Sequence, residues 1–307
     1  MTTQIPVIDF SDLEQKASWQ SIKSQVKKAL EEYGFFEAKF EQSPLHVRQS
    51  AFEKVQEVFN LPIETKRLNN FKNPGRGFLG REPRIPMYES LGIDNAISPG
   101  SIESFTNLMW PQGNPNFSEV VSSYLRKMAE LDQIVRKMIH ECFGLEKHLN
   151  NHMNSTEYSL RFHMYDGVEN GTKSVGLKHH MDQNYLTILQ QSETLGLEVK
   201  TKGGDWVAPQ CSLDSFIVMT GLSFRAVTNG RLYAPLHGVM MKGEKTRYSI
   251  TLFCAPQAQS EVKPAEEMVD EEHPLQYRPF EYGKFRQYFL TGGGFDSDDT
   301  LRDFAGI

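Results

Sequence analysis

The alternation of apolar and polar residues changes its period once along this chain. Over 18–33, Trp19, Ile22, Val26, Ala29, Leu30 and Tyr33 recur at the spacing of one helix face, and Gly34 stops that helix before extended Phe35-Phe36. A short strand over 5–10 precedes it. Ser43-Pro44 offers an N-cap and a first-turn proline for a second helix that buries Phe52, Val55, Val58 and Phe59, and Pro62 opens another turn or short helix. A long helix is predicted over 117–142, with Val120, Val121, Tyr124, Met128, Leu131, Val135, Met138 and Ile139 on one side and Gly144 beyond its end. Residues 69–115 hold much of the Gly and Pro and no sustained period. Phe78, Met87, Tyr88, Leu91, Phe105 and Trp110 make them too apolar for a solvated tether, so they read as a long excursion with short strands.

From Tyr158 the period becomes two. Strands are predicted over 158–165, 174–180, 184–190, 196–201, 205–208, 214–219, 223–227, 236–241 and 246–254. Many short strands at close spacing argue for a sandwich or jelly roll. An acidic tail follows Pro256 and returns through a helix near 279–290. The expected layout is α+β: a helical supporting region, 1–150, and a β-rich region, 151–307, ending in a helix, the two forming one compact unit.

The 307 residues suffice for one large domain or two small ones. A net charge of −6 provides no electrostatic footprint for nucleic acid or an anionic membrane. Cys142, Cys211 and Cys254 are dispersed and odd in number, so no disulfide framework is expected and a reducing compartment is. No signal sequence or membrane-length apolar window is evident. The expectation is a cytoplasmic protein, monomeric or weakly oligomeric.

Candidate chemistry sharpens this picture. On a strand, His180 and Asp182 share a face, whereas His179 points away. With His237 they make a two-histidine, one-carboxylate set that leaves coordination positions open, as oxygen-activating Fe(II) requires; zinc accepts the same ligands. Arg247 and Ser249 share a strand face ten residues further on. Arg supplies a planar two-pronged donor for a carboxylate, and the hydroxyl adds one more. A small keto-dicarboxylate could then chelate the metal at one end and be clamped at the other. Tyr165, His163 and Arg161 share a face of the 158–165 strand, with Tyr165 placed to donate its phenol to the co-substrate. His46, His140, His148, His152 and His273 fall in helical or tail segments and are not read as ligands. Gly292-Gly293-Gly294 lacks the strand-before, helix-after setting of a phosphate loop.

With these residues in place the chain resembles the plant-type 2-oxoglutarate- and Fe(II)-dependent dioxygenases, almost end to end. The 5–10 strand, Tyr33-Gly34-Phe35-Phe36 and Leu61-Pro62-Ile63-Glu64 are similar to the family's N-terminal landmarks, and the triad and Arg247-x-Ser249 stand in the family order. The runs 87–93, 107–113 and 270–275 resemble the AOP-like branch, named for glucosinolate alkenyl and hydroxyalkyl enzymes. The resemblance implies a double-stranded β-helix (jelly roll) core flanked by helices. It implies iron held by His180, Asp182 and His237, and 2-oxoglutarate held by Arg247 and Ser249 with Tyr165 assisting and His163 beside it. Phe253 would line the substrate pocket and Arg161 would reach the substrate. Molecular oxygen would be consumed, and ascorbate would serve as reductant in vitro. The product would be a hydroxylated, desaturated or demethylated small specialised metabolite, with succinate and CO2 released.

The chain departs from the family at several points. His163 stands where Asn is common, Asp166-Gly167 where a Pro-Pro run is common, Gly221-Leu222 where many members have Gly-Asp, and Met181 where Thr is usual. None removes an iron ligand, and Asp182 argues against a halogenase. Two rival readings are an iron oxidase that needs no 2-oxoglutarate, and a non-catalytic small-molecule binding protein on the same scaffold.

Overall fold

The period-two segments fold into two sheets that face one another across the candidate site. The computed structural model describes residues 5–40, 45–70, 77–81, 85–210, 212, 214–293, 297 and 299–307. The Ser43-Pro44 cap, Cys211 and Gly294 lie outside those residues. The strands are β1 (Val7–Asp9), β2 (Phe35–Lys39), β3 (Leu79–Gly80), β4 (Tyr88–Ile93), β5 (Thr156–Tyr165), β6 (Lys173–His180), β7 (Leu186–Gln191), β8 (Leu197–Lys200), β9 (Trp206–Val207), β10 (Ser215–Thr220), β11 (His237–Lys242), β12 (Arg247–Pro256), β13 (Glu261–Val262) and β14 (Phe280–Glu281). The helices are α1 (Lys16–Glu32), α2 (Leu45–Phe59), α3 (Ile63–Arg67), α4 (Ser101–Met109), α5 (Pro115–Cys142), α6 (Glu146–Asn154), α7 (Leu222–Val227), α8 (Tyr282–Tyr288) and α9 (Thr300–Ala305).

The large sheet runs β1-β2-β10-β7-β12-β5-β4-β3, and the small sheet runs β6-β11-β8-β9. Only β1 and β2 pair in parallel among these strands. Alternation along β12 explains why both faces of the large sheet are covered. Ile250, Leu252 and Cys254 point outward into a core shared with α1, α2, α4 and α5. Arg247, Ser249, Thr251 and Phe253 point inward, between the sheets. Phe35, Leu189 and Ile217 of the large sheet pack there on Leu197 and Val199 of the small one, and Tyr88 and Tyr165 pack on Val239 and Met241.

The double-stranded β-helix flanked by helices is therefore present, and β1 to β4 from the N-terminal half belong to its large sheet. Asn114 caps α5, accepting from the Phe117 amide at 3.1 Å, with Pro115 in the first turn. α1 ends at Gly34, whose φ of +75° and close approach to the Tyr233 carbonyl admit no side chain.

Three expectations need correction. Residues 222–227 are helix α7 and not a strand, although Leu222, Phe224 and Ala226 alternate. The helix forms because its first amides are captured by the preceding loop: Leu222 donates to the Asp182 carbonyl at 2.7 Å and Ser223 to that of Asn184 at 3.1 Å. The short strands expected in the 69–115 excursion are there, β3 and the six-residue β4, both in the large sheet, but the stretch also contains a whole helix, α4, that no sustained period announces. The C-terminal helix is shorter than 279–290, running from Tyr282 to Tyr288 and passing into a π turn.

Candidate active site

The small sheet brings two of the metal-ligand candidates together directly. His237 on β11 is the register partner of His180 on β6, and the ring centres are 4.5 Å apart. Asp182 lies just past β6. Its Oδ1 is 3.7 Å from His180 Nε2 and its Oδ2 is 3.8 Å from His237 Nε2, so the three donor atoms fall within 4.8 Å of one another. His180 Nδ1 sits 2.9 Å from the Lys178 carbonyl and His237 Nδ1 sits 3.1 Å from that of Pro235. A carbonyl only accepts, so each Nδ1 carries the proton and each Nε2 presents its lone pair to the shared space. Burial, reinforced by the neighbouring His237, pushes the His180 imidazole down to about 4, against the pull of Asp182. Neutral imidazole is the ligating form. Two nitrogens and one carboxylate oxygen on one side of a common point suit Fe(II) with positions left open.

The loop after Asp182 holds the carboxylate still. The Thr187 hydroxyl donates to Asp182 Oδ2, and Asn184 Nδ2 donates to Thr187 Oγ1 at 3.0 Å. Gly221 closes on this loop so tightly that a Cβ there would lie 2.2 Å from the Asn184 carbonyl oxygen. Thr187 and Asn184 have no assigned role in the sequence because nothing in their spacing marks them, and Gly221 stands out there only as a departure from the family; the folded loop makes all three neighbours of Asp182. His179 faces away, stacking on Trp206 with centres 4.1 Å apart, as the strand alternation required.

The large sheet supplies the opposing wall. Across β12 and β5 the register pairs Arg247 with Tyr165, Ser249 with His163, Thr251 with Arg161 and Phe253 with Ser159. Each sequence-predicted co-substrate or substrate residue therefore lies on one continuous inward face. Arg247 is 1% exposed, donates to Gln191 Oε1 at 3.1 Å and to Ser249 Oγ at 3.3 Å, and lies over the Tyr165 ring. A Cβ on Gly196 would come within 2.9 Å of the Arg247 side chain, so that glycine leaves room for the guanidinium. His163 Nδ1 is 2.8 Å from the Tyr88 hydroxyl. Burial, then the charges of Arg161, Arg247 and His180, hold His163 well below the ordinary histidine range, and it is neutral. Arg161 is buried and donates through Nη2 to the Ser90 hydroxyl at 2.6 Å and the Gly77 carbonyl at 3.0 Å. Phe253 is partly buried beside Thr187 of β7. Among the other histidines, His140 and His152 pack ring against ring at a tilt in the helical layer, and His148 and His273 pair with Glu267 and Asp270 at the surface.

A jelly roll that holds a His-x-Asp…His triad on one sheet and a buried Arg-x-Ser on the other defines an Fe(II)- and 2-oxoglutarate-dependent oxygenase. The chain belongs to that family. Residues 150–256 match the 2OG-Fe(II) oxygenase superfamily and residues 5–85 match the N-terminal region of the non-haem dioxygenases of morphine synthesis. Over nearly its whole length the chain is 42% identical to the probable 2-oxoglutarate-dependent dioxygenase AOP1.2 of Arabidopsis thaliana, covering 98% of this chain and 96% of that protein. It is 28% identical to the 2-oxoglutarate-dependent dioxygenase AOP2 of the same plant, covering 99% and 98%. Among solved structures, the rice dioxygenase for auxin oxidation superposes with a TM-score of 0.84 at 27% identity, covering 99% of this chain and 100% of that one. JOX2 in complex with 2-oxoglutarate, iron and JA shares the fold, with a TM-score of 0.82 at 21% identity, covering 99% and 89%. The enzyme is thus a 2-oxoglutarate-dependent dioxygenase that uses Fe(II), 2-oxoglutarate and O2. Among the described residues no helix is long and apolar enough to cross a membrane.

Proposed function

We propose that this chain oxidises a small specialised metabolite in the space between its two sheets, with His180, Asp182 and His237 holding the iron and Arg247 and Ser249 holding the far carboxylate of 2-oxoglutarate. The observation that carries the assignment is the pairing of three converging ligand atoms with a buried guanidinium on the facing sheet. Bound Fe(II) and 2-oxoglutarate supply oxidative decarboxylation to succinate and CO2, coupled to oxidation of a substrate C–H bond.

The side chains do the rest. Thr187 and Asn184 keep the Asp182 carboxylate from swinging, and the Lys178 and Pro235 carbonyls fix both imidazole tautomers. Gln191 and Tyr165 hold the Arg247 fork in place before the co-substrate arrives, so little ordering remains to be done on binding. His163, neutral and anchored by Tyr88, takes the position of the Asn common in the family. Phe253 and Arg161 form the substrate side, and the N-terminal region that supplies β4 closes it. Hydroxylation is the simplest outcome, with desaturation or demethylation open to the same oxidant. The composition suits action in the cytoplasm, as a monomer or weak oligomer.

The test is an untargeted small-metabolite screen with Fe(II), 2-oxoglutarate and ascorbate, reading substrate-stimulated succinate for wild type and Asp182→Ala. Substrate-dependent succinate in the wild type alone is expected. Full activity in the variant would sink the ligand assignment. Substrate oxidation without 2-oxoglutarate consumption would favour the iron oxidase reading instead.

A further inference from the structure

We propose that Thr251, with its cross-strand neighbour Arg161, selects substrates that carry a hydrogen-bond-accepting oxygen, a carboxylate or carbonyl, at the wall of the pocket. The inference rests on the site being an iron and 2-oxoglutarate centre. Thr251 points inward between Ser249 and Phe253 on β12. Its register partners are Arg161 on β5 and Leu189 on β7. Thr187, the residue that grips Asp182, is the β7 partner of the next inward position, Phe253. Thr251 therefore stands between the co-substrate clamp and the residue that steadies the metal-binding carboxylate.

Its hydroxyl is out of place if the pocket is apolar. Thr251 is 2% exposed, yet its Oγ1 has no hydrogen-bond partner among the described residues. The other polar side chains of this inward face are engaged: Ser249 accepts from Arg247, Thr187 donates to Asp182, Ser90 accepts from Arg161, and Ser159 donates to Asp94. A buried hydroxyl without a partner is costly, and it is tolerated where a bound molecule supplies the partner. The neighbour fixes the polarity of that molecule. Arg161, the cross-strand partner of Thr251, brings a buried positive charge to the same inward face, its guanidinium held toward β4 by the Ser90 hydroxyl and the Gly77 carbonyl. A guanidinium only donates and a hydroxyl can donate, so the complementary group is an acceptor oxygen. Leu189 and Phe253 flank it with apolar surface that would receive the carbon skeleton.

The experiment compares wild type, Thr251→Val and Thr251→Ser, each loaded with Fe(II) and 2-oxoglutarate. A small-metabolite library is used in which each carboxylic acid or ketone is matched with the hydrocarbon of the same skeleton. Succinate release is read against both substrate and 2-oxoglutarate concentration. The wild type should respond to members with the acceptor oxygen and ignore their matched hydrocarbons. Thr251→Val, which keeps the shape and loses the hydroxyl, should raise KM for the responding substrate about tenfold or more while KM for 2-oxoglutarate and the substrate-free turnover stay put. Thr251→Ser should restore most of the affinity. The proposal is overturned if hydrocarbons and oxygenated partners respond alike, if no oxygenated member responds, or if Thr251→Val leaves the substrate KM unchanged. Failure of the wild type to bind Co(II) and 2-oxoglutarate together under nitrogen would instead remove the iron and 2-oxoglutarate reading.

Discussion

Arg247 and Tyr165 are cross-strand partners on β12 and β5, and the guanidinium carbon lies 5.0 Å from the centre of the phenol ring. Neither residue is exposed by more than a trace. The ring beneath it and donation to Gln191 hold the fork in place on the inward face of the large sheet. Arg247→Lys keeps the charge and loses the fork. Its expected effect is a rise of about thirtyfold in the apparent KM for 2-oxoglutarate, equivalent to ~2 kcal/mol for a lost hydrogen bond to a charged group. Initial rates of succinate release at varied 2-oxoglutarate measure it; an unchanged KM would mean the co-substrate is clamped elsewhere.

In the ligand set proposed above, Thr187 acts on the metal only through Asp182. Thr187→Val should weaken Fe(II) binding by about 10–100-fold, the usual scale for a residue that orients a ligand. A spectroscopic titration with Co(II) under nitrogen reads this without turnover. Equal affinities in variant and wild type would show that the carboxylate needs no such support.

Gly221 is required for space and not for backbone conformation. Its Cβ would collide with both the carbonyl and the side-chain oxygen of Asn184, which are part of the loop behind Asp182. Gly221→Ala should lower Tm by about 5 °C, from an overpacking cost of ~2 kcal/mol, and weaken metal binding as well. Calorimetry with and without added metal checks both parts, and a variant as stable as the wild type would contradict the packing argument.

The helical layer carries a pH dependence of its own. His140 on α5 and His152 on α6 are in ring contact and buried near Arg136, and His152 packs on Tyr185 and Phe224. Burial first, then the Arg136 charge, holds His152 well below the ordinary histidine value, and burial lowers His140. Both are neutral in the folded chain where the unfolded chain would protonate them. The unfolded state then binds more protons, so stability falls as pH drops below the ordinary histidine range and levels off beneath the depressed folded values. His152→Phe should flatten that loss, provided unfolding midpoints are compared between pH 7.5 and 5.5. An equally steep fall in the variant would place the acid sensitivity elsewhere.

Much of this arrangement was legible in the residue order because it depends on short-range alternation. Arg247 and Ser249, and Tyr165, His163 and Arg161, are each set on one face by a two-residue repeat that survives into the folded strands, whereas β6 stops at His180 and Asp182 reaches the same space from the loop beyond it. The same rule misled at 222–227. There alternation marked a strand, whereas the loop carbonyls of Asp182 and Asn184 draw the backbone amides into a helix. The 69–115 region hid α4 because its Gly and Pro mask the period, and its short strands find their places in the sheet only through one another and β5.

The sequence by itself determined which side chains face together along each strand, and so pointed to the class of enzyme and to the candidates proposed as ligands and clamp. Only the tertiary structure decided which faces meet. Register places His237 opposite His180 and Arg247 opposite Tyr165, and the two sheets then close on each other. The residues that lie between them without a motif, Thr187 and Asn184 behind the carboxylate, Gln191 behind the guanidinium and Thr251 with its unpartnered hydroxyl, owe their roles to contacts between segments distant in the chain or joined by a turn. Such contacts leave no periodic trace in the order of residues, because they are fixed by packing and not by local conformation.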